Sequence, residues 1–339
     1  MQLLTIDEAF DRATGHKSLL LGNGFSMAFD RNIFSYGSLF SKADFTGVEH
    51  IPHLFEALQT RDFEAVIRFL IKLQSIIEIY DSISEELFAV IAEDIEKVKN
   101  ALASSVANNH PPLPFSVTDE QYRHCRAFLR NFRKIYTLNY DVLLYWALMH
   151  DDVDDEPMRS DDGFRHPEGN EDAPYVSWQS AHSPSVFYMH GALHLFDAGH
   201  EITKYTWSKT RVPIVEQIRS ALDEEKYPLF VSEGHSHEKL DKIMHNAYLH
   251  KALRSFSSIG GSLFVFGHSF DDNDDHILNQ IPQSAISKLF VGLFGNPNIP
   301  DNQQIIAKAQ KLQKTRAAMP YKRAFELDFF DVSTAQVWG

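Results

Sequence analysis

Short apolar runs alternate with amphipathic stretches along most of the chain. The first run, Leu19–Leu21, follows polar residues and ends at Gly22, which predicts a strand buried on both faces. Later runs rich in β-branched or aromatic residues predict strands at Lys134–Leu138, Val186–His190, Leu229–Ser232, Leu263–Phe266, Leu289–Phe294 and Phe325–Phe330. Helical patterns separate several of them, at Val215–Leu222, Leu240–Phe256 and Ile305–Ala317. This alternation predicts an α/β fold, Rossmann-like, with a mostly parallel sheet and helices on both faces.

A mainly helical region follows the first predicted strand. Apolar residues recur there at helical spacing, and a proline-rich break precedes its last helix. We therefore predict a single domain over residues 1–339, with a helical insertion or subdomain over 45–132. Residues 1–15 are predicted to form a short amphipathic helix capped by Thr5 or Asp7.

A glycine turn, Gly22–Gly24, follows the first predicted strand. Such a turn lets backbone N–H groups at the start of the next helix approach a ligand closely, and a phosphate or pyrophosphate suits them. Glycines spaced in this way also occur in ordinary turns between a strand and a helix, so both interpretations stay open. The aromatic segment 27–37 that follows is predicted to be either a loop over a pocket or a helix that continues into a packed connector.

Polar residues stand where other predicted strands end. Three groups follow apolar runs: Thr137 with Asn139 and Asp141, His190 with Gly191, and Gly267 with His268 and Ser269. The carboxyl ends of parallel strands meet at one edge of a sheet, where ligands of such folds bind. We therefore expect an amide with a carboxylate, an imidazole and two glycine turns along this edge, although each residue alone is more often a local hydrogen-bonding group.

Composition and charge restrict the partners. The chain is long enough for a substantial core, and 44% of its residues are hydrophobic. The 32 basic and 46 acidic residues give a net charge of −14, which argues against broad nucleic-acid binding through phosphate contacts. Many of the acidic residues fall in the stretch 150–174, which is predicted to be a solvated loop rather than a metal site.

The single cysteine, Cys125, excludes an internal disulfide and a cysteine-rich zinc site, and it suits a reducing cytoplasm. We expect no signal peptide, because no basic region with a following apolar stretch stands at the N-terminus, and no membrane contact, because no apolar run approaches the length of a membrane span. The run Asp271–Asp275 lacks the glycine and the distal glutamate of a calcium loop. We therefore expect a cytoplasmic protein that holds no metal.

Four motifs occur in order along the chain: Gly22-Asn23-Gly24-Phe25-Ser26, Thr137-Leu138-Asn139-Tyr140-Asp141, His190-Gly191 and Gly267-His268-Ser269. In order, spacing and strand-end placement this set resembles the sirtuin-type NAD-binding fold, and it covers most of the chain. The resemblance is closer to bacterial sirtuin-like NAD hydrolases, which include effectors of antiphage defence, than to deacetylases. Asn23 departs from the small residue usual there, and one cysteine cannot build the zinc ribbon of true sirtuins.

The resemblance implies cleavage of the nicotinamide–ribose bond of NAD, which is the substrate. It places the pyrophosphate over the first motif, at Gly22, Asn23, Gly24, Phe25 and Ser26, and the phosphate or adenosine ribose at Gly267, His268 and Ser269.

The same resemblance assigns the catalytic roles. Asn139 would hold the nicotinamide ribose and the attacking water, and Asp141 would order that pocket, with Thr137 and Gly191 lining it. His190 would be the general base, and we expect its pKa to lie near neutrality.

The resemblance also implies a regulated, NAD-depleting effector. Such an effector would form a homo-oligomer and would be activated by a protein or a nucleic-acid-bound partner. Two alternatives stay open: an NAD-dependent ADP-ribosyltransferase or deacylase, and a sensor that binds NAD or an ADP-ribose nucleotide without turnover. Asn139 and His190 together favour catalysis, because a pure binder does not need both. A dehydrogenase fits poorly, because the third glycine of the dinucleotide fingerprint is missing.

We predict that the purified protein holds no stoichiometric zinc. The physical reason is the lone cysteine, which cannot supply the thiolate set of a structural zinc site. Elemental analysis of protein purified without chelator checks this, and one tightly bound zinc per chain would contradict it.

Overall fold

The computed structural model describes residues 2–77, 79, 85–154, 158, 160–170, 172–180, 183–206, 211–224, 226–232 and 235–339. These residues form a six-stranded parallel sheet and a four-stranded antiparallel sheet. The strands are β1 (Lys17–Leu21), β2 (Lys134–Thr137), β3 (Phe164–Arg165), β4 (Tyr175–Trp178), β5 (Val186–Tyr188), β6 (Leu195–Asp197), β7 (Ile202–Tyr205), β8 (Gly260–Phe266), β9 (Ala285–Leu293) and β10 (Glu326–Asp331).

Helices flank the parallel sheet and fill the connections. In chain order they are α1 (Ile6–Arg12), α2 (Gly24–Phe29), α3 (Arg31–Phe34), α4 (Tyr36–Ser41), α5 (Ile51–Ala57), α6 (Phe63–Ile77), α7 (Glu85–Asn109), α8 (Asp119–Leu129), α9 (Leu143–Met149), α10 (Ile214–Asp223), α11 (Ser236–His245), α12 (Ala247–Ser257), α13 (Asp275–Leu278) and α14 (Pro300–Ala317). Short 3₁₀ turns add Pro114–Ser116, Asp151–Val153, Asp272–Asp274 and Val332–Ala335.

The large sheet has the strand order β10-β9-β8-β1-β2-β5, and every neighbouring pair is parallel. The chain leaves the central strand β1 for β2 and β5, and then crosses to β8, β9 and β10 on the other side. All six carboxyl ends therefore lie along one edge, with the change of direction next to β1. The α/β, Rossmann-like fold predicted from the sequence is confirmed.

β1 lies at the centre because it can be buried on both faces. Leu19 pairs in register with Ile135 of β2 and Phe264 of β8, and the three leucines of β1 are fully buried. A parallel strand between two neighbours and two helical layers needs a continuous apolar run, which β1 supplies.

One predicted strand is wrong. Leu229–Ser232 forms no strand: Phe230 makes an isolated bridge to Gly191, and the Val231 N–H donates to the His190 carbonyl at 2.9 Å. The segment pairs with a turn at a strand end, so its ladder cannot extend, although its apolar composition matches that of the strands.

The helix predictions hold with one difference. Thr5 caps α1 through a capping box with Glu8, as one of the two alternatives predicted. The predicted helix Leu240–Phe256 is divided at Asn246, whose side chain accepts the Leu249 N–H and starts a second helix.

The helical insertion lies between β1 and β2 and packs around aromatic rings. The segment 27–37, which precedes the insertion, is helical rather than a loop. The ring centroids of Phe40 and Phe55 are 4.7 Å apart, and those of Phe55 and Phe63 are 5.2 Å apart. These rings give the insertion an apolar centre of its own, and Ile91 on the long helix α7 is also buried.

The small antiparallel sheet has the order β3-β4-β7-β6 and was not predicted, because its strands have only two to four residues. One of its strands, β3, lies in the acidic stretch that was predicted to be a solvated loop. Two acidic residues of that stretch are paired within the protein: Asp154 accepts from the buried Arg126 at 2.8 Å, and Asp162 pairs with Lys204. Asp155, Glu156 and Glu171 of that stretch lie outside the described residues.

The turns after β1 and β8 touch through glycines. The Gly24 N–H donates to the Gly267 carbonyl at 2.8 Å, and the Gly22 N–H donates to the Phe266 carbonyl at 3.0 Å. A Cβ atom on Gly24 would lie 2.5 Å from the Cα of Gly267, which itself has a φ of +68°. Glycine is required here because two backbones occupy the space that a side chain would need.

We predict that Gly24→Ala lowers the free energy of unfolding by about 1–3 kcal/mol, as overpacking against backbone does. Gly37→Ala in α4 is the matched control, because a Cβ there meets nothing within 4 Å and alanine favours a helix by about 1 kcal/mol over glycine. Urea unfolding of both variants checks this. Equal stability of the two variants would contradict the glycine contact.

Candidate functional site

Ser26, Asn139 and Asp141 form a buried polar cluster at the carboxyl ends of β1 and β2. Asn139 Nδ2 donates to Ser26 Oγ at 2.8 Å, and Ser26 Oγ in turn donates to Asp141 Oδ2. The backbone N–H of Asn139 donates to Thr137 Oγ1 at 3.1 Å, and that of Leu143 donates to Asp141 Oδ1 at 2.9 Å. Residues predicted from two separate motifs therefore meet in one hydrogen-bonded group.

Asp141 is held away from water, which governs its charge. Burial raises the pKa of the Asp141 carboxyl above its ordinary value, although the hydrogen bonds from Ser26 and the Leu143 backbone act against that rise. The carboxyl thus orders Ser26 and the start of α9.

His190 lies on the neighbouring strand end, after β5. Its Nε2 lies 2.9 Å from Nε2 of His276, and the two rings are stacked at 5.1 Å between centroids. Tyr140, between Asn139 and Asp141 in sequence, stacks on His190 at 6.4 Å. This tyrosine joins the two parts of the site.

A buried network of charges lies beneath His190. Lys239 Nζ donates to Glu64 Oε2 at 2.6 Å and to Asp274 Oδ1 at 3.2 Å. Asp274 Oδ1 is 3.9 Å from His190 Nε2, and Asp274 Oδ2 is 3.1 Å from His268 Nε2. Asp274 is therefore the centre on which one lysine and two histidines converge.

The protonation states follow from this arrangement. Burial acts to raise the pKa of Asp274, but Lys239 and the His268 hydrogen bond hold it well below its ordinary value. Burial acts to lower the pKa of Lys239, but Glu64 and Asp274 hold it above its ordinary value. Lys239 and Asp274 are therefore both charged at neutral pH.

The pKa of His190 differs from the near-neutral value expected from the sequence. Burial lowers the pKa of His190 well below its ordinary value, and the nearby Asp274 only partly offsets this. Burial likewise lowers the pKa of His276 to about 4. Both imidazoles are neutral at pH 7, which leaves an unprotonated ring nitrogen able to accept a proton, on a weaker base than expected.

His268 orients Asp274. The Phe270 N–H donates to His268 Nδ1 at 2.8 Å, so Nε2 carries the ring proton and donates it to Asp274. The side chain of His268 is thus engaged with a carboxylate, while its neighbour Ser269 is exposed.

The remaining predicted residues shape the backbone around the site. Asn23 Nδ2 donates to the Phe34 carbonyl at 3.0 Å, and Phe25 packs on Trp338, whose ring N–H donates to the Phe25 carbonyl at 2.9 Å. Gly191 has a φ of +76°, and a Cβ there would lie 1.7 Å from the Leu229 carbonyl oxygen. These residues position the turns through contacts within the protein.

The site is closed. Ser26, Asn139, Asp141 and His190 are exposed by 0%, 7%, 5% and 3%. The helical insertion is fastened to it by Glu64 of α6 and by His110, whose Nε2 accepts the Val142 N–H at 3.2 Å. A ligand as large as a dinucleotide reaches these groups only after the surrounding segments move apart.

The distances between three side chains would allow them to hold a metal ion. One ligand atom each from His190, Asp274 and His276 lies within 4.8 Å of the others. However, the Lys239 ammonium is 3.2 Å from the same Asp274 oxygen that a cation would bind, so positive charge is already supplied there. We therefore describe the three residues as a hydrogen-bonding network.

Sequence analysis missed Glu64, Lys239, Asp274 and His276. Asp274 lies in an acidic run that was considered only as a calcium loop, and both it and His276 follow the β8 turn, which was a usable signal. Glu64 and Lys239 lie on amphipathic helices, where a buried charged residue has the same spacing as a solvated one. No sequence pattern distinguished them.

The fold and site define a Rossmann-like α/β protein. An amide–carboxylate pair and a buried imidazole lie at the edge of its sheet that the carboxyl ends of the parallel strands form. A family model described as a domain of unknown function, DUF4917, matches residues 19–338, and the chain belongs to that family. No curated protein matches the chain. Among the described residues, none of the helices has the length and apolar character needed to cross a membrane.

We predict that stability falls as the pH is lowered from about 6.5 to about 4. The pKa values of His110 and His276 are lowered from 6.5 to about 4 by burial, so in this window the unfolded chain binds protons that the folded chain refuses. Each of these two histidines then lowers the free energy of unfolding by about 2 kcal/mol at pH 5.

Urea unfolding at pH 7.5 and pH 5.0 measures this loss. His110→Gln should reduce the difference between the two pH values by about 2 kcal/mol, because one of the depressed pKa values is removed. The same difference in the variant and the parent would contradict the assignment.

Proposed function

We propose that this protein hydrolyses NAD at the nicotinamide–ribose bond and releases nicotinamide and ADP-ribose. The observation that carries the proposal is the meeting of Asn139, Asp141 and a neutral His190 at adjacent carboxyl ends of a parallel sheet. This edge, next to the central strand, is where such folds bind nucleotides. The resemblance of the motifs to sirtuin-like NAD hydrolases supplies the substrate.

The proposed chemistry divides the work among these side chains. Asn139 holds the nicotinamide ribose and the attacking water, and its amide is oriented through Ser26 by Asp141. His190 accepts a proton from the water or from a ribose hydroxyl, for which its neutral ring is suited. Such positioning matters because attack on an oxocarbenium-like centre depends on geometry.

The proposed nucleotide lies along the turns after β1 and β8. Gly22, Gly24 and Gly267 let these two turns approach each other, while the exposed Ser269 offers a hydroxyl to the phosphate or the adenosine ribose. The glycine N–H groups of the β1 turn are already paired with β8, so we assign these glycines to the shape of the site rather than to donation.

The closed site supports a triggered enzyme. The buried positions of Asn139 and His190 fit a protein whose turnover stays low, but measurable, until the helical insertion moves. By resemblance alone, we further propose a cytoplasmic, homo-oligomeric effector of bacterial antiphage defence, activated by a protein or a nucleic-acid-bound partner.

We predict that His190→Ala and Asn139→Ala keep the fold and much of the NAD affinity while nicotinamide release falls by about a hundredfold to ten-thousandfold. Matched controls are His194→Ala, another buried neutral histidine, and Asn109→Ala, another buried asparagine whose amide donates to a serine, at 3.3 Å. These should lose stability but keep the turnover per folded molecule.

Nicotinamide release, NAD calorimetry and thermal unfolding of the five proteins provide the measurements. Full activity in either site variant would remove that residue from the mechanism. Binding of NAD without nicotinamide release in the parent would support the sensor instead, and absence of both at millimolar NAD would reject the proposed function.

A further inference from the structure

Hydrolysis of NAD creates one proton that the buried site must dispose of. The glycosidic C–N bond breaks with its electron pair going to the positively charged nicotinamide, which leaves neutral. Water supplies the new C–O bond and loses one proton. Each turnover thus releases a proton next to His190, a residue exposed by only 3%.

His276 has a neighbour at each ring nitrogen. Its Nε2 faces Nε2 of His190, and its Nδ1 faces the hydroxyl of Ser236. A hydroxyl oxygen can accept the proton on Nδ1, which leaves Nε2 of His276 as the acceptor toward His190.

In that arrangement Nε2 of His276 is the acceptor and Nε2 of His190 carries the shared proton, at 2.9 Å. A neutral imidazole has one N–H, so Nδ1 of His190 is unprotonated. Among the residues that the structure describes, none hydrogen-bonds this Nδ1. The nitrogen suited to take a proton from water is therefore the one left without a protein partner.

The path continues beyond His276. Ser236 Oγ at the start of α11 lies 3.4 Å from His276 Nδ1, and Ser236 is only half-buried. From His190 to this serine, the contacts use Nε2 of His190 and both ring nitrogens of His276. An imidazole passes a proton on in this way, because it gains one proton at one nitrogen and loses another from the other.

We propose that His276 is a positioning and proton-transfer residue that carries the proton of NAD hydrolysis from His190 toward Ser236 and solvent. The proton of the attacking water goes to His190 Nδ1, the proton on His190 Nε2 goes to His276 Nε2, and the proton on His276 Nδ1 goes to Ser236 and solvent. No ring holds more than one extra proton at any time. This inference rests on the proposed function.

The first test needs no turnover. Nitrogen-15 NMR of the ring nitrogens in the parent, assigned with His190→Gln and His276→Gln, should show the Nε2–H form of His190 and the Nδ1–H form of His276. An Nε2–H form of His276 would overturn the proposal, and so would ring nitrogen shifts typical of a metal-bound imidazole.

The second test measures proton transfer. In His276→Gln the amide oxygen can still accept from His190 but cannot pass a proton on, so nicotinamide release should fall about a hundredfold with NAD affinity unchanged. His194→Gln, at a buried neutral histidine outside the network, should keep full turnover per folded molecule.

Chemical rescue separates transfer from packing. Added imidazole should restore nicotinamide release to His276→Ala, whereas pyrrole, a ring of the same size without a basic nitrogen, should not. Equal rescue by both rings, or full activity of His276→Gln, would reject the relay alone. Absence of nicotinamide release in the parent would reject the proposed function, and the relay with it.

Discussion

The buried ammonium of Lys239 is the constraint on which the rest of the site depends. A charge removed from water costs several kcal/mol unless it is closely paired, and Lys239 is 1% exposed. Two carboxylates at 2.6 Å and 3.2 Å compensate it. Because Glu64 belongs to the insertion and Asp274 follows β8, a single cation joins the insertion, α11 and the edge of the sheet. The insertion is therefore part of the site's electrostatics as well as its cover.

The same constraint determines the protonation of the histidines. Asp274, which is paired with Lys239 and with the His268 N–H, offsets only part of the effect of burial on the pKa of His190. Burial disfavours an imidazolium further, and two neutral rings facing each other must divide the roles of donor and acceptor. Which of the two rings donates therefore depends on the groups around the pair rather than on a charge on either ring.

The sequence predicted most of the large sheet and only part of the site. Buried parallel strands such as β1 and β8 are continuous apolar runs, which stand out without any tertiary information. The same signal failed at Leu229–Ser232, where a neighbouring turn offers only one bridge. Strand-end placement brought Asn139, Asp141 and His190 to one edge, as predicted. Glu64 and Lys239 could not be found, because only the packing of α6 against α11 makes their positions buried.

The glycines of the first motif show why a motif needs its structural context. Gly22 and Gly24 match a phosphate-binding turn in spacing, yet in this fold their missing side chains are replaced by the backbone of the β8 turn, and their N–H groups bond to it. A requirement for glycine at these positions therefore follows from strand packing, with or without a nucleotide. Loss of NAD affinity in a bulky Gly24 variant would report the contact between two turns as much as a ligand. In the proposed function a nucleotide is therefore recognised through Asn139 and His190, whose side chains the packing of the sheet does not require.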